Sequence, residues 1–367
     1  MKPVLFATGH LPAYRVGGLA RLHEREDIEV ALFGGRARHG GPAFAGELPF
    51  PHRRVSPREL LALAGGGDYR AVVVPTGGRL ALLAAWAGAR RAGAPVIVWA
   101  SLWAHPRSAA HALSYVPLLR LYRSADAVVT YGSHVSAYVA ARGARNIHIA
   151  PQAVDNDFWS SPDLEPAPAP AAQAQGVRFL FAGRAAPEKG LDLLRAAWRA
   201  SGMRPPRATL ILAGTGPAGV GSAGNRAGAG AAAEGIVCLP ALAPTRLRDL
   251  YGASEVLVVP SVATRTFREP WGLVVNEAMN RGLAVIASDA VGAAAGGLVR
   301  DGETGLVVPA GDARALARAI TRLADDAPLR AALGAAGRRA VAAYNADAWA
   351  QGFSKALATL GLSRTRW

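Results

Sequence analysis

The sequence predicts an α/β protein made of two doubly wound, Rossmann-like domains facing a central cleft. Three observations carry that expectation. Short apolar runs rich in β-branched residues alternate with Ala-, Leu- and Arg-rich helical stretches along almost the whole chain, the order expected of parallel sheets with crossover helices. The alternation breaks once, at residues 160–176 (SSPDLEPAPAPAAQAQG), where spaced prolines hold the backbone extended and suit neither periodicity. A length of 367 residues with 51% hydrophobic content is enough for two ordinary cores.

The elements follow in order. In an N-terminal domain over 1–160, strands are expected at 3–8, 28–33, 71–75, 95–100, 127–130 and 147–150, each an apolar run short enough to be a buried strand. Helices include 78–92 and 135–142, where alanine and leucine replace the β-branched residues. Residues 161–176 read as a Pro/Ala-rich linker and hinge. In a C-terminal domain over 177–345 the alternation restarts, with strands at 177–182, 208–213, 235–239, 255–260, 284–288 and 305–308. Its helices are expected at 190–200, 246–253, 272–281 and 312–324, followed by a broken helical stretch from 328 to about 360. Ligands of such sheets bind outside the carboxyl ends of the strands, so the cleft is the expected site.

Composition excludes several classes. Forty-one basic against 26 acidic residues give a formal charge of +15, yet all basic residues except Lys2, Lys189 and Lys355 are arginines in a chain rich in Ala, Gly and Pro. That pattern reads as coding bias in a GC-rich, bacterial-type sequence. Residues 1–160 carry +8 and the remainder +7. With the charge shared so evenly between the two halves, no nucleic-acid partner is expected. One cysteine, Cys238, and no Asn-x-Ser/Thr acceptor point to a reducing, cytoplasmic setting. The apolar run at 4–7 is too short for a signal peptide, and no stretch reaches the roughly 18 residues of a spanning helix.

Two segments carry the chemistry. FAGRAAPEKG, 181–190, ends a strand at Gly183 and opens a helix near Gly190, with Arg184 and Lys189 between. Two cations beside a helix start make an anion site, and a phosphate is its natural occupant; a solvated loop is the alternative. REPWGLVVNEAMNRG, 268–282, puts Glu269 before a helix and Glu277 two turns in, with Pro270 suited to the first turn and Gly272 allowing close approach to the N–H groups of Trp271, Gly272 and Leu273. A loop carboxylate can accept from sugar hydroxyls and one on the helix from both hydroxyls of a ribose. A helix cap and a solvent-facing glutamate are the bland reading.

Together these residues resemble glycosyltransferase family 4, retaining enzymes of the GT-B fold. The likeness is strongest over 177–342, through the Gly-Arg-x-x-x-x-Lys-Gly loop at 183–190, AGTGP at 213–217, the strand into VVPS, the glutamate pair, and DGETGLVVPAGD at 301–312. The resemblance implies transfer of a hexose from a nucleotide diphosphate sugar to a hydroxyl with retention, without metal or other cofactor. It implies that Arg184 and Lys189 hold the diphosphate, that Glu269 with Trp271, Gly272 and Leu273 holds the sugar, that Glu277 binds the ribose, and that Gly216 lies at the donor site. In the first domain it sets Gly17 and Gly18 near the phosphate and His105 near the reacting centre. It also implies that the last helix, 346–367, crosses back onto the first domain. The glycine-proline-glutamate run of the family is replaced after 284 by SDAVGAAAGG, and the residues around His105 read WASLWAHP.

Competing signals are weaker. Gly214, Gly216 and Gly219 spell a dinucleotide fingerprint with Glu234 about twenty residues on, but no apolar helical stripe follows, which argues against an NAD-dependent oxidoreductase. Asp155-Asn156-Asp157 reads as a turn cluster and His105 with His111 share no helix face, so no metal is assigned. A catalytically idle two-lobed binder of nucleotide sugars is the non-enzymatic alternative. The acceptor stays open: a small molecule, a glycan or a lipid-linked hydroxyl. The stretch 99–124 sets Trp99, Leu102, Trp103, Tyr115, Leu118, Leu119 and Tyr122 beside Arg107, Arg120 and Arg123, either as a surface for a lipid-linked acceptor at an anionic membrane or as a core-facing helix with surface arginines.

Overall fold

The computed structural model describes residues 1–34, 46–162, 165–216 and 234–364. Two compact units result, one of residues 1–155 with 344–367, the other of 156–343.

In the first unit seven parallel strands lie in the order β3-β2-β1-β4-β5-β6-β7: β1 (Val4–Thr8), β2 (Ile28–Leu32), β3 (His52–Arg54), β4 (Ala71–Pro75), β5 (Val96–Ala100), β6 (Ala127–Thr130) and β7 (Ile147–Ile149). All five residues of β1 and of β5 are buried, which is why both read as unbroken apolar runs. No apolar run marks β3, because all three residues of this edge strand are exposed and read His-Arg-Arg.

The two faces of this sheet are covered differently. On one lie α2 (Pro57–Gly65), α3 (Arg79–Arg91), α4 (Ala109–Ser124) and α5 (Ser133–Ala140), whose Leu60, Ala85, Tyr122 and Val135 share one core. On the other, α1 (Ala13–Glu26) packs beside the last helix of the chain, α13 (Ala346–Thr359), whose Trp349 and Phe353 pack on Phe6 and Trp99. A buried ion pair secures that end. Arg70 donates to Glu26 at 3.0 Å and to the Leu362 carbonyl at 2.8 Å, while Glu26 also accepts from the Ser363 hydroxyl and the Arg364 N–H.

In the second unit six parallel strands run β10-β9-β8-β11-β12-β13: β8 (Val177–Ala182), β9 (Ala208–Ala213), β10 (Ile236–Leu239), β11 (Val256–Val259), β12 (Ala284–Ser288) and β13 (Leu306–Val308). Its helices are α6 (Asn156–Ser160), α7 (Leu191–Ser201), α8 (Pro244–Gly252), α9 (Val274–Asn280), α10 (Gly292–Ala295), α11 (Ala313–Asp325) and α12 (Ala327–Val341). The long broken stretch is therefore two helices in different units, α12 and α13.

The stretch expected as a free linker is strapped to this second unit. Trp159 of α6 is buried edge-on against Tyr251 at 5.7 Å, Arg246 pairs with Glu165 at 2.9 Å, and Gln175 exchanges two hydrogen bonds with Thr209. Proline removes only its own N–H, so the residues between prolines still bond to neighbouring side chains. The chain passes between units at 155/156 and at 343/344 instead.

Gly17 and Gly18, expected near a phosphate, lie inside α1. Gly17 is exposed, whereas a Cβ on Gly18 would come within 2.8 Å of the Trp349 ring. Gly18 thus sets the approach of α13 to α1. Replacing it by alanine is expected to cost about 1–3 kcal/mol by overpacking, and Trp349→Ala about 3–5 kcal/mol by cavity formation. In the double variant the glycine's cost should vanish, read as non-additivity in chemical denaturation.

Candidate functional site

The order of the second sheet reverses between β8 and β11, so crossovers leave those two strands in opposite directions and open a crevice at their carboxyl ends. The two cationic and acidic segments singled out in the sequence follow these two strands. After β8 comes the loop from Gly183, then a short 3-10 turn Pro187–Lys189 and helix α7. After β11 the chain runs through Pro260 and Glu269 into α9.

The two loops touch closely. Val262 donates its N–H to the Glu188 carbonyl at 2.9 Å, and a Cβ on Gly190 would sit 2.1 Å from the Pro260 carbonyl oxygen. Gly190 also has φ of 68°, so both conformation and space demand glycine. Lys189 is thereby directed across the crevice, where its Nζ donates to Oε2 of the buried Glu269. Glu269 is held from behind by a parallel bridge to Val291, with its carbonyl accepting the Gly292 N–H at 3.1 Å. This bridge uses the segment DAVGAAAGG that follows β12.

The other expected residues take distinct places. Arg184 is largely exposed and lies 3.5 Å from Glu188, a carboxylate the sequence reading passed over although it stands four residues on. Trp271 is buried and donates from its indole to Asn276 at 2.7 Å. Gly272 adopts φ of 89°, with Val291 Cγ1 3.1 Å from where a Cβ would stand. Helix α9 begins at Val274 with Leu273 as its N-cap, two residues later than the sequence suggested. Gly216, φ 80°, follows β9, while Gly219 and the rest of the glycine-rich run over 217–233 lie outside the described residues.

Glu277 does not face solvent. It is partly buried on the first turn of α9 and accepts from the Tyr251 hydroxyl at 2.8 Å. Desolvation pushes its carboxyl up to about 7, with the Tyr251 hydrogen bond pulling the other way. Burial, and then the charge of Glu277, hold the Tyr251 phenol well above its ordinary value, so it stays a neutral donor. Tyr251 is 26 residues away on α8, and nothing in the sequence signalled the pairing.

His105 lies in the first unit, after β5. Its Nε2 is 2.9 Å from the His111 carbonyl and its ring stacks edge-on with Tyr115 at 4.7 Å. A carbonyl only accepts, so Nε2 is the donor there, while Nδ1 is buried with no partner among the described residues. Of the two readings of 99–124, the aromatic residues follow the core-facing one. Trp99 and Tyr122 are buried, Leu102, Trp103 and Leu118 pack on the core, and Tyr115 is taken by His105. Among the described residues no group of three or more His, Cys, Asp or Glu is placed to hold a metal, and no helix is long and apolar enough to cross a membrane.

Residues 176–326, which hold the whole Lys189–Glu269 site, match the family model of glycosyl transferases group 1. A D-inositol 3-phosphate glycosyltransferase of Rhodococcus erythropolis is 40% identical over 159 residues, 40% of this chain and 34% of the relative. The enzyme of the same name from Nocardia farcinica is 34% identical over 211 residues, 56% of this chain and 45% of the relative. The matched stretch therefore spans less than half the length of these curated relatives. Across 98% of this chain the fold is that of Anabaena Alr3699/HepE, solved with UDP and glucose (TM-score 0.69, 18% identity, 100% of that chain). Sucrose-phosphate synthase from Thermosynechococcus elongatus superposes equally (TM-score 0.70, 20% identity, 98% of this chain and 99% of that one). The two doubly wound parallel sheets are thus the GT-B architecture.

The carboxyl of Glu277 gives a pH prediction. Its folded value, about 7, lies above the ordinary carboxylate value, so the native state binds the extra proton. The stability it contributes is full below about pH 4.5 and is lost as pH rises through about 7. Glu277→Gln, which keeps the acceptor for Tyr251, should melt higher than the parent at pH 8, and the gain should shrink toward zero near pH 5. Equal gain at both pH values would contradict the raised value.

Proposed function

We propose that this protein is a glycosyltransferase that moves a hexose from a nucleotide diphosphate sugar to a hydroxyl acceptor. The observation that carries the reading is the Lys189–Glu269 pair at the β8/β11 crevice, a cation and a carboxylate delivered by two crossing loops inside the segment that matches the glycosyl transferases group 1 family. The likeness to a structure solved with UDP and glucose supports a nucleotide sugar as donor.

The residues fit the charge flow of such a transfer. As the glycosidic bond to the leaving diphosphate breaks, negative charge grows on its terminal phosphate, and two side-chain cations, Lys189 and Arg184, are available to meet it. Arg184 is exposed and lies 3.5 Å from Glu188, which leaves its guanidinium accessible to an arriving anion. A diphosphate drawing Lys189 to itself releases Glu269 to accept from sugar hydroxyls. Glu277, ionising near neutrality, accepts from both ribose hydroxyls in its charged form. A role for His105 near the reacting centre is part of the proposal through the family likeness alone. Retention at the anomeric carbon is part of the proposal through the family likeness, and metal independence through the two cations that can do a metal's electrostatic work. A reducing cytoplasmic compartment is the proposed setting for a chain with one cysteine.

The test is transfer or hydrolysis across a panel of nucleotide sugars. Lys189→Ala and Arg184→Ala should each cut turnover by about 10²-fold, because a charge-assisted contact that strengthens in the transition state is lost. Glu277→Ala should instead raise the donor KM. Excess chelator should leave activity intact. Unchanged turnover in Lys189→Ala would remove the phosphate role, and strict dependence on a divalent ion would remove the metal-free mechanism.

A further inference from the structure

The charge of the first unit is not evenly laid out. Residues 76–154 contain eight arginines and a single acid, Asp126, whose carboxylate is engaged by Arg90 at 3.0 Å and by the Val96 N–H at 2.7 Å. This acid-poor stretch includes α3 and α4, which join β4 to β5 and β5 to β6. Consecutive right-handed crossovers put both on one side of the sheet, and their buried residues share one core with α2 and α5.

The outward faces of α3 and α4 repeat one pattern. Each opens with two exposed aliphatic side chains three residues apart, Leu80 (73% exposed) and Leu83 (45%) on α3, Leu113 (82%) and Val116 (70%) on α4. Each closes with exposed arginines, Arg90 and Arg91 on α3, Arg120 and Arg123 on α4. Both helices start at the carboxyl edge of the sheet, so the aliphatic pairs lie toward one end and the arginines toward the other. At about 1.5 Å per residue the arginines stand about 6–12 Å behind Val116 and Leu83. Among the described residues seven large apolar side chains are exposed, and these four, with Leu61 of α2, lie on this one layer.

We propose that this face docks on the surface of an anionic lipid bilayer, with the four aliphatic side chains inserted at the headgroup boundary and the arginines among the lipid phosphates. Apolar side chains that reach about 5–10 Å below the headgroups, flanked by cations, are the chemistry of an interfacial contact. A second copy related by a twofold axis would set these helices against themselves with no acidic side chain on α3 or α4 to meet the arginines, which disfavours self-association through this face. A nucleic acid would leave the aliphatic side chains without a partner. The inference does not rest on the glycosyl-transfer reading, because its readout is binding.

The test is co-sedimentation of the full chain with vesicles of equal parts phosphatidylglycerol and phosphatidylcholine, against phosphatidylcholine alone. Binding is expected to the mixed vesicles at low salt and to fall as salt rises. Leu113→Gln with Val116→Gln keeps every charge, and Arg120→Glu with Arg123→Glu keeps the aliphatic pair; each double variant should lower partitioning by about tenfold or more. Arg314→Glu with Arg318→Glu, the same charge change on exposed positions of α11 in the other unit, should leave it unchanged. Unaltered melting shows that each variant folds. Three results would overturn the inference: no binding by the parent at low salt, glutamine variants that bind like the parent, or an equal loss in the α11 variant, which is adhesion of a +15 chain by charge alone. Light scattering without vesicles supplies a fourth, a dimer that the glutamine pair dissociates.

Discussion

The contact between Lys189 and Glu269 depends on the strand reversal beneath it. Only because β8 and β11 are neighbours, with Phe179 opposite Val256 and Leu180 opposite Leu257, do loops separated by some eighty residues of chain meet at one point. The closeness is enforced by backbone more than by charge. Gly190 lets the first loop lie directly on Pro260, and Gly292 does the same under Pro270, where a Cβ would stand 2.0 Å from the carbonyl oxygen. A partly buried ion pair by itself contributes little net stability, since desolvation offsets much of the attraction. On the proposed function its value is chemical: each partner would hold the other in a geometry from which an anion or a hydroxyl could draw it away.

The first unit solves a different problem. One face of its sheet is covered by α2, α3, α4 and α5, whereas the other has α1 from its own N-terminal half and, beside it, a helix recruited from the far end of the chain. Trp349 and Phe353 fill the hydrophobic layer over Phe6 and Trp99, and Gly18 makes room for the indole. Arg15 is buried among four aromatic rings, 4.8 Å from Trp99 and 5.1 Å from Trp349, with its Nη2 on Gln152 at 2.7 Å. Cation–π contact of this kind gains from desolvation, so a guanidinium can be enclosed by rings and an amide. The consequence is that unit 1 is complete only with residues 344–364, and the chain must pass between the units twice.

What the sequence disclosed follows from where its signals come from. Strands buried on both faces announce themselves, so β1, β4, β5, β9 and β12 lay within a residue or two of their expected positions. The exposed β3 has no apolar run to show. Proline spacing suggested a free linker over 161–176, but pattern cannot reveal side-chain partners such as Thr209 and Arg246 that tie this stretch down. Local motifs located Arg184, Lys189, Glu269 and Glu277, because each sits in a loop or first turn next to a strand end. The partners that shape them, Glu188 and Tyr251, come from a solvated neighbour and a distant helix. For residues 99–124 the composition was informative and the assignment of faces was not: the aromatic residues turned inward, leaving Leu113 and Val116 outside. Counting charge by halves concealed the acid-poor layer in the same way.

The two glutamates of the second unit show how one residue type is given two behaviours. Glu269 faces an ammonium and is fixed by its own backbone bridge, so its carboxylate is matched by a full positive charge. Glu277 faces a neutral phenol whose ionisation is suppressed, and with no cation beside it among the described residues to offset desolvation its proton is retained up to about pH 7. A group poised there changes charge when its surroundings change. Hydroxyls that donate to the carboxylate favour the ionised form, so a diol arriving at Glu277 would release the proton that burial had retained. On the proposed function, binding of a diol at that position would be coupled to proton release near neutrality, whereas an anion arriving at Lys189 would exchange one negative partner for another. The contrast comes from a single substitution of partner, ammonium against phenol, within one small domain.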